Sequence, residues 1–206
     1  MIAIIDYGMG NLYSVSQALE KMGFSWEITA DPERLQAADG LILPGVGAFG
    51  NAMEELAKRN LIEWIRKEAL TGKPLLGICL GMQLLFTSSN EHGFYQGLNL
   101  LPGRVVPFVT ANPIPHMGWS WLRFRQIHPL FQNLEEDYVY FVHSFHVEAD
   151  NESDVIADTD YDQPVTAVVA RNHIFGMQFH PEKSGQLGRR LLARFAQFAT
   201  EGKFQA

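Results

Sequence analysis

Residues Gly77-Ile78-Cys79-Leu80-Gly81 hold the one cysteine of the 206-residue chain, in the pattern G-x-C-x-G. The same spacing around serine makes a nucleophile elbow, a sharp strand-to-helix turn that presents the reacting side chain. The backbone of such a turn is strained, and side chains two residues to either side would collide, so glycine is wanted at both places. The helix start that follows places partial positive charge beside the sulfur, which favours the thiolate. The N–H of Leu80 points to where an oxyanion would form. A lone cysteine is more often core packing. Here the apolar run before it, the helical pattern after it and the two glycines favour a nucleophile.

A nucleophilic thiolate works with a base. The segment MQFHPEKSG offers His180 at a strand exit and Glu182 two residues later. On an extended chain these side chains share a direction, so Glu182 reaches the imidazole, fixes its tautomer and stabilises its charged form. Pro181 sets the backbone between them. Glycines in LPGVGAFG (43–50) let a backbone approach a ligand, with Val46 and Gly47 as a second source of oxyanion donors. The Gly8–Asn11 loop, GMGN, lacks the third glycine of a dinucleotide fingerprint. His143 and His146 stand three apart in a strand-like run and are expected to face opposite ways, which disfavours a metal pair. With one cysteine and scattered histidines there is no zinc pattern, and no metal or cofactor is expected. Trp119 and Trp121 are expected to be exposed on a surface loop suited to a partner contact.

These residues need a scaffold. IAIID (2–6), GLILP (40–44) and PLLGIC (74–79) are short apolar runs that read as strands buried on both faces. Between them lie helical patterns. One carries Leu12, Val15, Leu19 and Met22 and stops at Gly23; a second carries Met53, Leu56, Trp64 and Ile65; a third runs through Met82, Leu84 and Leu85. The pattern predicts an α/β fold in three layers, a mostly parallel open sheet covered by helices. RVVPFV, WLRF, YVYFVHSF, VTAVVA and IFGMQF predict an antiparallel extension in the second half. A last helix is expected with Ser184 as N-cap and Leu187, Leu191, Phe195 and Phe198 as its buried stripe. The three glycine-bearing loops all follow strands, at the carboxyl edge where open α/β sheets place their sites. No repeat or linker breaks the chain, and one domain over 1–206 is expected.

Composition sets bounds. Apolar residues make up 47% and charged residues 19%, with a net charge of −7. That balance is globular and gives no basic footprint for nucleic acid. The first residues lack the features of a secretory signal, and no apolar run has the length of a membrane span. A soluble cytosolic protein in a reducing compartment is expected.

Together, PGVGAFG, GICLGMQLLF and FHPEKSG resemble the class I, triad-type glutamine amidotransferases, whose sheet is flavodoxin-like. DYGMGNL, PHMGWS and YFVHSF look like the histidine-biosynthesis branch of that family, along essentially the whole chain. The resemblance implies a glutaminase subunit in a heterodimer with a (β/α)8-barrel cyclase, through which ammonia travels. It implies Cys79, His180 and Glu182 as the triad, with Val46, Gly47 and Leu80 at the oxyanion hole. Gly47, Gln83, Glu91, Ser144 and Phe145 would hold glutamine, and Asn11, Met117 and Trp119 would face the cyclase. Ser120 and Phe145 stand where the family often has Asn and Tyr. A sister amidotransferase subunit, a free-standing cysteine hydrolase and a binding module that keeps the fold are the competing readings.

Overall fold

The computed structural model describes residues 1–204. In chain order the first half holds β1 (Ile2–Ile5), α1 (Leu12–Lys21), β2 (Trp26–Thr29), α2 (Pro32–Ala37), β3 (Gly40–Gly45), α3 (Phe49–Lys58), α4 (Leu61–Leu70), β4 (Leu75–Cys79) and α5 (Leu80–Leu84). Then follow β5 (Phe86–Ser89), β6 (Tyr95–Gln96), β7 (Leu101–Pro107), β8 (His116–Trp121), β9 (Arg123–Phe124), β10 (Tyr138–His143) and β11 (Phe145–Ala149). The chain closes with β12 (Val155–Asp160), β13 (Pro164–Arg171), β14 (Ile174–Met177) and α6 (Gly185–Glu201).

The main sheet has eight strands in the order β2-β1-β3-β4-β14-β13-β12-β9. Its first five strands run parallel. The last three add an antiparallel flank. Alternation along β1 shows why the parallel strands read as unbroken apolar runs. Ile2 and Ile4 pack on one side with Val15 and Leu19 of α1 and Leu191 and Phe195 of α6. Ala3 and Ile5 pack on the other with Leu35, Leu56 and Ile65 of α2, α3 and α4. Each face thus has its own helical layer, and both faces exclude water. Two smaller sheets, β10-β8 and β11-β7-β5-β6, lie outside the main one.

Several local expectations are corrected. The helical stretch through Met53 and Ile65 is two helices, because Asn60 takes a left-handed conformation (φ +56°) and ends the first. YVYFVHSF is not one strand: it breaks at Ser144, and its halves join different sheets. The third helix ends at Leu84, and Phe86 begins a strand. WLRF divides between the end of β8 and β9. Trp119 and Trp121 are exposed, but on β8 rather than a loop. Ser184 sits at the start of α6 without capping it by its side chain. Phe198 is only partly buried.

Candidate active site

The loops after β1, β3, β4 and β14 converge at one edge of the main sheet. Cys79 closes β4 with φ +55° and ψ −114°, a conformation that costs a side-chain-bearing residue of order 1–3 kcal/mol. The two glycines make it possible. A Cβ on Gly81 would stand 1.8 Å from the Leu43 carbonyl oxygen, and one on Gly77 would stand 2.5 Å from that of Gly81. The elbow and β3 are in backbone contact, and Gly45 of β3 pairs directly with Cys79. The helix after the elbow has only five residues, so its polarity at the sulfur comes from its first-turn amides.

His180 follows β14, the strand next to β4. Its backbone N–H donates to the Tyr140 carbonyl (3.1 Å). Ser184 secures the same stretch, donating from Oγ to the His180 carbonyl (2.6 Å) and accepting from the Tyr140 N–H (2.9 Å). The serine expected to cap α6 instead ties the His180 backbone to β10. His180 Nδ1 lies 2.9 Å from Oε1 of Glu182, whose side chain is fully buried. The two meet through a 3-10 turn, Pro181–Lys183, and not along an extended chain. Burial alone would lower the His180 pKa, but hydrogen bonds to Cys79 and Glu182 outweigh it and raise it to about 9. The imidazole is therefore a cation at neutral pH.

These groups border a cleft of about 340 Å³. Val46, Gly47, Cys79, Leu80, Gln83, Glu91, Ser144, Phe145 and His180 all line it. Gly47 has φ +96°. Glu91 accepts the Phe49 N–H at the start of α3 through Oε2 (2.7 Å), which fixes a carboxylate at the cleft wall. Gln83 Nε2 donates to the Phe145 carbonyl (2.9 Å). Asn11 caps α1, accepting from the Ser14 N–H (3.3 Å). Met117 and Trp119 are 60% and 54% exposed on β8. The methyl of Met9, a residue with no expected role, lies against Gly47.

Sequence reasoning missed three features. The Tyr7 hydroxyl, fully buried, donates to the Pro44 carbonyl (2.9 Å) and so anchors the start of the Val46–Gly47 loop. Burial, with the Cys79 thiol nearby, holds that phenol protonated far above its ordinary range. Behind the cleft, Ser120 Oγ lies 2.8 Å from His116 Nε2, His116 Nδ1 lies 3.0 Å from His143 Nε2, and His143 Nδ1 lies 2.8 Å from the Phe145 carbonyl. A carbonyl only accepts, so His143 donates from Nδ1 and receives at Nε2, and the order propagates back to Ser120. Both rings are neutral: burial pushes His116 down to about 4 and His143 to about 3. The expected opposition of His143 and His146 fails, since the break at Ser144 brings both rings against Phe108. The third feature is Gln178, fully buried between β14 and His180. Its signal was its spacing of two from His180. Among the described residues no group of His, Cys, Asp and Glu could hold a metal, and no helix is long and apolar enough to cross a membrane.

The family model for glutamine amidotransferase class-I matches residues 3–197. The chain belongs to the class I glutamine amidotransferases. This amidotransferase is 52% identical to imidazole glycerol phosphate synthase subunit HisH of Geobacillus sp. (strain WCH70), over 98% of this chain and 99% of that one. It is 46% identical to the Bacillus subtilis (strain 168) protein of the same name, with the same coverage. Among solved structures, one described as a glutamine amidotransferase superposes with a TM-score of 0.78 at 18% identity, covering 97% of this chain and 100% of that one. PurLQS from Thermotoga maritima superposes at 0.74 and 21% identity, over 96% of this chain and 97% of that one. At those identities the likeness is one of fold.

Proposed function

We propose that this chain, a single domain over residues 1–206, is the glutaminase subunit of an imidazole glycerol phosphate synthase. The observation that carries the reading is the strained Cys79 elbow facing an imidazolium that Glu182 holds in place, in one cleft. The relatives that share nearly the whole length support the choice of synthase.

Glutamine enters with its α-ammonium toward Glu91 and its α-carboxylate toward the backbone at Ser144 and Phe145, with Gly47 and Gln83 beside it. Cys79 sulfur attacks the side-chain amide carbon, and the carbonyl electron pair moves to oxygen. That oxyanion rests on the Leu80 N–H and on donors of the Val46–Gly47 loop. His180 gives its proton to the leaving nitrogen, ammonia departs and a thioester remains. His180, now neutral, takes a proton from water, whose oxygen attacks the thioester. Glutamate leaves, and the sulfur recovers its charge beside imidazolium. Glu182 keeps Nδ1 protonated throughout, so Nε2 is the nitrogen that exchanges protons. No step uses a metal or cofactor.

Ammonia passes to a (β/α)8-barrel cyclase bound as a heterodimer in the cytoplasm. There it is joined to a ribulosyl phosphate substrate to give imidazole glycerol phosphate and an aminoimidazole carboxamide ribotide. Exposed Met117 and Trp119, with Asn11, form the contact face. The test is glutamate release by the purified chain, alone and with a cyclase subunit and its ribulosyl ligand, with Cys79→Ser in parallel. Low activity alone, a large rise with the liganded cyclase and loss in Cys79→Ser are expected. High activity indifferent to the cyclase points to a free-standing hydrolase. Turnover that survives Cys79→Ser removes the nucleophile.

A further inference from the structure

Gln178 precedes His180 by two residues in the bend that leaves β14, and both side chains reach Cys79. Its amide is fully buried and requires partners. Oε1 accepts from Gln83 Nε2 at 3.0 Å. Nε2 stands 3.9 Å from Cys79 Sγ. The direction of this amide follows from its neighbours. The Phe145 carbonyl only accepts, so the Gln83 atom 2.9 Å away is nitrogen. The same nitrogen meets Gln178, so the Gln178 atom it meets is oxygen. The other end, the NH2, then faces the sulfur.

We infer that Gln178 is a further catalytic residue, donating from its side-chain NH2 to the Cys79 sulfur, with Gln83 and the Phe145 carbonyl fixing its orientation. The inference rests on the thiol-glutaminase reading above. Besides His180, the sulfur meets the Val142 carbonyl at 3.9 Å, which accepts from a thiol S–H and disfavours a thiolate. Gln178 opposes that preference from the same strand exit as His180. Its bond is strongest when charge lies on sulfur, before attack and again as the thiolate departs from the acyl carbon. In the neutral thioester between, the bond weakens. Gln178 therefore stabilises the nucleophile and leaving group, while the amides of Leu80 and the Val46–Gly47 loop serve the oxygen.

The test is the rate of Cys79 alkylation by iodoacetamide against pH, on the full chain. Gln178→Met removes the donor, and Gln178→Glu sets a carboxylate in its place. At pH 7 Gln178→Met is expected to react about three- to tenfold more slowly, the effect of one ordinary net hydrogen bond, because the contact to sulfur is long at 3.9 Å. Its profile moves to higher pH, and Gln178→Glu moves it further. Gln83→Leu, which frees the Gln178 amide to turn, shifts it less in the same direction. Profiles of both Gln178 variants that coincide with the unmodified chain overturn the inference. If the variants fail to fold, NMR of the unmodified chain decides: the Gln178 side-chain NH2 resonances move when Cys79 is alkylated, and resonances that stay fixed refute the contact. A glutamine-derived chloromethyl ketone separates the two readings. If it fails to label Cys79, the glutaminase reading falls, while the iodoacetamide profiles still report on Gln178. Labelling with unchanged Gln178 profiles sinks the inference alone.

Discussion

Gly81→Ala tests whether the elbow and the oxyanion strand are built as one piece. The added Cβ would lie 1.8 Å from the Leu43 carbonyl oxygen and 2.8 Å from its carbon, both backbone atoms of β3. Real Cβ atoms do not come within 3.0 Å, so the two elements must part by at least 1.2 Å, the difference between those distances. β3 is held by β1 on one side and β4 on the other and has little room to retreat. The movement therefore falls on α5, which carries Leu80 and adjoins Cys79. Overpacking of this kind costs about 1–3 kcal/mol, or about 2–12 °C in Tm for a chain of this size. A shift of about 1 Å in a reacting group costs roughly a hundredfold in rate. Thermal unfolding and glutamate release at saturating glutamine, with the cyclase present, measure both. The expected result is a lowered Tm and kcat down about a hundredfold, with KM changed less, because Glu91, Ser144 and Phe145 of the proposed glutamine site lie on other elements and of its side chains only Gln83 is on α5. An alanine variant with unaltered Tm and kcat would refute the backbone-contact account of the elbow.

Three further predictions follow from the side chains around it. Glu182→Gln removes one of the two bonds that raise His180, worth about 1.5–3 kcal/mol or one to two pH units, and histidine NMR titration should show that drop from about 9. Because the folded value exceeds the ordinary 6.5, the His180 contribution to stability is complete below pH 6.5 and lost as pH rises through 9; in Glu182→Gln the loss comes at lower pH. His116 and His143 work in the opposite sense: their folded values, about 4 and about 3, lie below 6.5, so their contribution is present above pH 6.5 and lost as pH falls through 4 and 3. Urea unfolding at a series of pH values should show stability declining on the acid side, with a shallower decline in His116→Gln; an equal slope contradicts the neutral-ring assignment. Tyr7→Phe strands the Pro44 carbonyl at a cost of about 1–3 kcal/mol, and it should lower Tm and kcat together while alkylation of Cys79 proceeds normally.

The parallel core was legible because its strands are apolar on both faces and its breaks fall at glycines. Trp26–Thr29 escaped notice since only Thr29 of its four residues is buried, so the edge strand lacks an apolar run. Val155–Asp160 hides Asp158 in a buried strand, held by Arg123 and Arg125, and composition gives no hint of such pairing. At the site, the meeting of Cys79, His180 and Glu182 was legible from motif and spacing. Gln178 was not, because a glutamine in an apolar stretch resembles the wet side of a strand until its partners are known. The two neutral histidines were equally hidden. Their tautomers are set by a carbonyl at Phe145 and a hydroxyl at Ser120, contacts made across separate elements.

The placement of β14 between β4 and β13 has a consequence for the newly made chain. Cys79 and Gln178 are 99 positions apart, and His180 lies further still. During synthesis the thiol emerges long before His180, and until the late strand slots into the middle of the sheet β4 has no neighbour on that side. A truncated or half-folded product thus carries a cysteine with neither imidazolium nor amide beside it. The thiol and the imidazole are therefore brought together only when β14, a strand made late in the chain, takes its place beside β4.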